Sequence, residues 1–174
     1  MKLKKFTSVA FDWEALKEAV RKDLLEKGDL LEIEDRTWKV LSAVPGETFI
    51  WQCRGPMDKV VFNESGSNEY EGSDIQRYAR DQFPAMVPEG LREMVTDEGF
   101  FPLSIEEIKK YLPTEVERIA ADENGETAWY WLRSAHRGNA HSTWIVTTSG
   151  TATTYGSSAY TAYRFAPACH LQAN

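Results

Sequence analysis

The residues best suited to chemistry are three histidines, His136, His141 and His170, and two cysteines, Cys53 and Cys169. His136 and His141 lie five apart with no acidic residue close by in sequence, and no HExxH pair occurs, so the ligand set of a zinc site is missing. His170 alternates with Cys169 and Leu171 on an expected strand and reads as a core-edge residue. Arg54 beside Cys53 and His170 beside Cys169 alternate to the other face of the expected strands, so neither cysteine has a sequence-local activating partner and both read as small hydrophobes. The Gly-Ser cluster Glu64–Asn68 (ESGSN) lacks the Lys-Ser/Thr of a phosphate-binding loop. Carboxylates are numerous, yet none sits in the setting of a glycosidase pair. The chain is therefore expected to be non-enzymatic, with no catalytic residue, no cofactor and no metal.

Charge is distributed unevenly over the 174 residues. Residues 1–126 carry 17 Lys+Arg against 27 Asp+Glu, and residues 127–174 carry three Arg and no Lys, Asp or Glu. An acidic body disfavours nucleic acid, and a carboxylate-free tail disfavours calcium-dependent sugar binding. Within Ser134–Tyr163, Ser, Thr, Ala, Gly and Tyr make up 23 of 30 residues. That mix is either a low-complexity, sheet-forming stretch or the composition of an adaptable binding surface, with Tyr giving rigid contact area and small polar residues giving hydrogen bonds. Randomising the adenines of an Asn codon cannot produce Lys, Glu, Gln, Met or Trp. These types number 42 in the chain, so about seven are expected in such a window by composition; the window holds one, Trp144.

The elements that must position this tail read as helix, strands, helices, strands: an α+β order without βαβ alternation. Asp12 caps a helix expected to run to Lys27, with Trp13, Leu16, Val20 and Leu24 as its apolar stripe. Leu30–Ile33, Trp38–Val44 and Thr48–Cys53 form an expected antiparallel meander, turned at Asp35-Arg36 and Pro45-Gly46. Lys59–Phe62 is a further short strand, and Asn63–Gly72 an exposed loop. Ser73/Gln76 and Ser104/Glu107 have capping-box spacing, Pro88 opens a helix and Pro113 stops one. Asp122–Glu126 is a turn. Trp129–Ser134, Trp144–Thr148 and Arg164–Leu171 are the tail strands. No linker or repeat appears, so one domain over 1–174 is expected. No apolar run is long enough for membrane insertion or, at the start, for a signal peptide.

At the tail, Trp129-Tyr130-Trp131-Leu132-Arg133-Ser134 resembles the "WWLRS" opening, and Arg164 to Leu171 the closing "GVRPALxL", of a domain family common in phage and microbial proteins. Gly28-Asp29, Trp38-Lys39-Val40, Ser73-Asp74-Ile75 and Phe101-Pro102-Leu103-Ser104 resemble its other landmarks, so the likeness spans roughly 28–172. Phe165 departs from the closing motif. The family is that of diversity-generating retroelement variable proteins. The resemblance implies a C-type-lectin-like fold, with antiparallel sheets flanked by short helices and a hypervariable region over 129–172. A reverse transcriptase mutates that region through template adenines, for host attachment by a virus or for recognition at a microbial surface. Enzyme relatives of the fold generate formylglycine with a paired-cysteine site, which Cys53 and Cys169 do not resemble.

Alternation and the codon argument assign Trp129, Trp131, Leu132, Trp144, Val146, Ser149 and Gly150 to the framework, with Arg133 and Arg164 bonding loop carbonyls. The ligand-binding candidates are Tyr130, His136, Arg137, Asn139, His141, Ser142, Thr143, Ile145, Thr147, Thr154, Tyr155, Ser157, Ser158 and Tyr160. The expected partner is a protein or glycan on a target cell surface; the location is left open between virion, cell and cytoplasm, with a virion attachment structure favoured. An enzyme of the formylglycine-generating fold and a structural virion module without a ligand are the alternatives.

Overall fold

The computed structural model describes residues 3–5, as backbone, and 12–174. The polar start read as too short of apolar residues for a signal peptide falls largely outside them. The fold is mixed α+β, with two mainly antiparallel sheets and a few short helices. None of the described helices is long and apolar enough to cross a membrane.

The first sheet has the order β1 (Leu3–Lys5), β2 (Leu30–Ile33), β3 (Arg36–Val44), β4 (Glu47–Arg54), β13 (Pro167–Gln172), β6 (Phe101–Pro102). Two short strands, β7 (Ala120–Ala121) and β8 (Thr127–Ala128), extend it from β4. Its centre is the expected meander. The turns fall at Glu34-Asp35, with Glu34 at φ 56°, and at Pro45-Gly46, with Gly46 at φ 84°. The second sheet runs β11 (Ala152–Thr153), β10 (Thr143–Val146), β9 (Tyr130–Ala135), β12 (Ala162–Arg164), β5 (Lys59–Val61).

Helix α1 (Trp13–Arg21) begins as read, with the Asp12 side chain accepting from the Ala15 amide at 3.0 Å. It ends six residues before Lys27. Asp23 takes the left-handed conformation, φ 55°, and the amides of Asp23 and Leu24 return to the Val20 and Ala19 carbonyls. This closing motif satisfies the last carbonyls and turns the chain away. Leu24 is consequently exposed, and Leu25 enters the core in its place. Helices α2 (Asp74–Arg77) and α4 (Ile105–Tyr111) start at Ser73 and Ser104 as read, and Ser104 with Glu107 makes a reciprocal capping box. Helix α3 (Glu89–Met94) follows Pro88.

The expected strand Arg164–Leu171 is two strands in different sheets. Phe165 and Ala166, both buried, carry the chain from β12 to β13, and the Phe165 amide donates to the Asp58 carbonyl at 3.0 Å. Pro167, which has no N–H to give to a ladder, begins the new strand. There β13 inserts between β4 and β6, with Cys169 opposite Ile50 and Ala168 opposite Phe101.

Two hydrophobic clusters flank β9. Trp131 and Ile145 belong to the one that holds Leu16, Trp38, Phe62 and Phe165. Tyr130, Leu132 and Val146 belong to the one that holds Leu41, Trp51, Ile108 and Leu112. Consecutive side chains of a strand point to opposite faces. With both faces covered, all three of Tyr130, Trp131 and Leu132 are buried.

Candidate functional site

Three loops meet at one end of the second sheet: residues 63–70 after β5, 136–142 between β9 and β10, and 154–161 between β11 and β12. Their joint is Asn68, 5% exposed. Its side-chain amide donates to the carbonyls of His136 (3.1 Å), Asn139 (3.0 Å) and Ser142 (3.0 Å), and its backbone amide to Ala140 (2.9 Å). The third loop is tied in by backbone pairs. The Thr143 amide donates to Ser157 at 3.1 Å, the Ala159 amide to His141 at 2.8 Å, and the Asn63 amide to Ala159 at 3.0 Å. Ser142 and Ser158 form an isolated bridge. Backbone bonds that cross all three loops fix one conformation of the joint, although the buried Thr143 hydroxyl within it has no partner.

Gly66 is the close-approach point. It sits at φ 84°, and a Cβ there would lie 2.3 Å from the Tyr160 hydroxyl. The Gly66 carbonyl also meets His141 Nδ1 at 2.8 Å. The structure thus brings His141 and Tyr160 together over a residue in the segment read as a plain exposed loop. His136 and Arg137 line an open groove of about 870 Å³ with Ile105, Glu106 and Lys109 of α4 and with Trp144. Arg137, Asn139, His141, Tyr155 and Tyr160 are exposed; Tyr155, at 87%, has almost its whole ring in water. Ser142, Thr154 and Ser158 are half-buried. Thr147 does not join the cluster. It bonds Ser149 within its own turn, where Gly150 (φ 86°) packs against the Glu115 carbonyl.

Four candidates are placed where no ligand reaches them. Tyr130 is fully buried, and its hydroxyl donates to the Arg118 carbonyl at 2.6 Å. Burial holds its pKa well above the ordinary value. Ile145 and Thr143 are fully buried on β10, and Ser157 turns its hydroxyl onto the Thr154 carbonyl. Alternation predicts one wet face for these strands, but both faces are covered. Trp129, assigned to the framework interior, is instead 37% exposed. Arg133 and Arg164 bond carbonyls as expected, Arg133 that of Pro102 and Arg164 that of Met57, both at 2.7 Å. Arg133 also pairs with Glu107 at 2.6 Å.

Burial pushes both thiols up, Cys169 strongly, which is the reverse of what activates a nucleophile. Cys169 sits opposite Ile50, so Cys53 is three residues along the ladder, about 10 Å away and beyond disulfide reach. Among the described residues no group of three or more His, Cys, Asp or Glu could hold a metal. A separate cleft of about 460 Å³ contains Tyr70, Arg92 and Arg133. Two of its arginines are spent on the scaffold, Arg133 on the Pro102 carbonyl and Arg92 on the Pro84 and Val87 carbonyls, and the third, Arg80, pairs with Asp81 at the surface.

Asn68 and Gly66 were not legible as site-forming residues, because Asn and Gly among serines mark any turn. No curated protein and no solved structure matches the chain. Residues 45–173, which are 129 of the 174, match the family described as Domain of unknown function (DUF6273), and the chain belongs to that family.

Proposed function

We propose that this protein is a non-enzymatic recognition module of the C-type-lectin-like type. In this reading the loops 136–142 and 154–161 are its ligand face, diversified through a retroelement for attachment to a protein or glycan on a target cell. One observation carries the reading. The exposed 136–142 loop is anchored from the acidic body by Asn68 through bonds to its backbone carbonyls, and the 154–161 loop is tied to it by backbone pairs. Backbone anchoring is indifferent to side-chain identity, so the exposed Arg137 and Tyr155 could be exchanged without loosening the frame, while His141, Asn139 and Tyr160 also touch it through their side chains. Tyr supplies large, rigid contact area for such a face.

The landmarks behind the resemblance are joined to each other, which supports reading them as one scaffold. Gly28 and Asp29 bond Val40 in both directions at 2.8 Å, and the Arg133 amide donates to Leu103 at 2.9 Å. The Ile105 amide donates to the Ser134 hydroxyl at 2.9 Å.

The test is to sequence the coding region from many members of one population, together with its gene neighbourhood. The expected result is substitution concentrated at the exposed tail positions, beside a reverse transcriptase and a near-copy of the tail. Substitutions spread evenly over the chain, with no such neighbours, would refute the reading.

A further inference from the structure

Trp129 lies just before β9, 37% exposed, on the wall of a cleft of about 360 Å³ formed with Lys59, Glu126, Thr127, Tyr163 and Arg164. Its ring is held in place. Tyr163 stacks on it with centroids 5.6 Å apart and planes 17° from parallel. Tyr163 is itself braced edge-on by Trp131 at 5.0 Å, and its hydroxyl donates to the Gly156 carbonyl at 2.7 Å. A large apolar ring fixed in one orientation at a cleft wall, while its neighbours Tyr130 and Trp131 are fully buried, is a preformed stacking surface.

The rim chemistry narrows the ligand. Lys59 supplies a cationic donor, Glu126 a carboxylate and Thr127 a hydroxyl, while the Arg164 guanidinium bonds the Met57 carbonyl and the buried Asp122 carboxylate accepts from the Asn124 and Glu126 amides. An anion would face the Glu126 carboxylate, and a cation the Lys59 and Arg164 side chains. A wholly apolar ligand would strip water from charged groups without replacing its bonds. A neutral ring with one flat C–H face and several hydroxyls satisfies both signs, since each hydroxyl donates and accepts. The volume is near the low end of ligand pockets, ~300–1,000 Å³, which suits a single ring. We infer that this cleft is a hexopyranose subsite in which the sugar ring stacks on Trp129 and its hydroxyls bond Lys59 and Glu126. None of the residues lining the subsite belongs to the three loops, which touch it only through the Gly156 carbonyl that braces Tyr163, so it does not depend on their being diversified, and it needs no metal.

Saturation-transfer NMR and calorimetry with the methyl glycosides of glucose, galactose and mannose test it, with adenosine as the competing flat ligand. The expected result is binding of at least one glycoside to the whole chain. Trp129→Ala should weaken it at least tenfold, Trp129→Phe much less, and Glu126→Ala severalfold. The double variant Tyr155→Ala/Tyr160→Ala should bind the sugar unchanged, which separates this subsite from the proposed loop face. Absence of transfer from all three glycosides, equal binding by Trp129→Phe and Glu126→Ala at wild-type level, or preferential binding of adenosine would each overturn the inference. If Trp129→Ala loses its native circular dichroism, the Phe and Glu126 variants decide.

Discussion

Replacing Asn68 with alanine removes the one side chain, among the described residues, whose hydrogen bonds hold the 136–142 loop from outside it. Its amide has two hydrogens shared among three carbonyls at 3.0–3.1 Å, in a site 5% exposed. A net hydrogen bond is worth about 0.5–1.5 kcal/mol, and a buried group left unpaired costs more. Two bonds plus partly stranded carbonyls come to about 2–3 kcal/mol. For a chain of this size that is a fall in Tm of roughly 4–12 °C if it is felt globally. If the loop opens locally, the amides of His136, Ser142 and Thr143 should exchange about 30- to 150-fold faster while the β3–β4 core is unaffected. Asn68→Asp should be worse than Asn68→Ala, since a carboxylate cannot donate and would face three carbonyl oxygens. Thermal unfolding followed by circular dichroism, with amide exchange by mass spectrometry, measures both. If Asn68→Ala leaves both the Tm and the exchange of residues 136–143 at wild-type values, the loops are not held this way, and the anchoring argument for the ligand face fails.

Gly150→Ala should lower stability by about 2 kcal/mol or more: φ is 86°, and the new Cβ would lie 1.9 Å from the Glu115 carbonyl oxygen. A urea titration checks it. Tyr130→Phe should cost about 1 kcal/mol through the orphaned Arg118 carbonyl and leave cell binding unchanged; weakened binding at wild-type stability would restore Tyr130 as a contact. Both thiols should resist a thiol reagent at pH 8 in the native chain and react promptly in urea. With the Cys169 pKa raised above its ordinary 9.0, the unfolded chain loses that proton first. Stability should therefore be level below pH 9 and fall above it, faster past pH 10 as the raised tyrosines, Tyr70 at about 12 among them, add the same sign. Denaturant midpoints between pH 7 and 11 measure this.

Local signals were read well where short-range physics decides. Ser104 and Glu107 bond one another across one helical turn, and Pro45-Gly46 bends within its own four residues, so spacing alone placed both. Errors arose where distant parts of the chain decide. Nothing near Tyr130 announces that Leu41 and Trp51 will cover it while Phe62 covers Trp131. Alternation presumes one open face, and β9 has none. Helix α1 stops at Arg21 because the chain turns at Asp23, a position where aspartate tolerates the left-handed conformation without requiring it. Asn68 escaped notice because its partners lie about seventy residues away and are backbone atoms, which leave no mark on composition. The carboxylate-free tail stands apart from the body in composition, yet part of it packs inside.

The crossing at Phe165-Ala166 bears on how the chain folds. β13 is made after β4 and the loops, yet it sits between β4 and β6 and pairs residues some 120 positions apart. Such long-range pairing is slow, and until it forms the edges of β4 and β6 stand open. Folding of the body therefore waits on the segment beyond the tail loops. A tail too long, too bulky or too sticky to let β13 dock would leave an open-edged sheet, prone to aggregation and degradation. Chains that reach the folded pool have in that sense already been screened for a tail that fits.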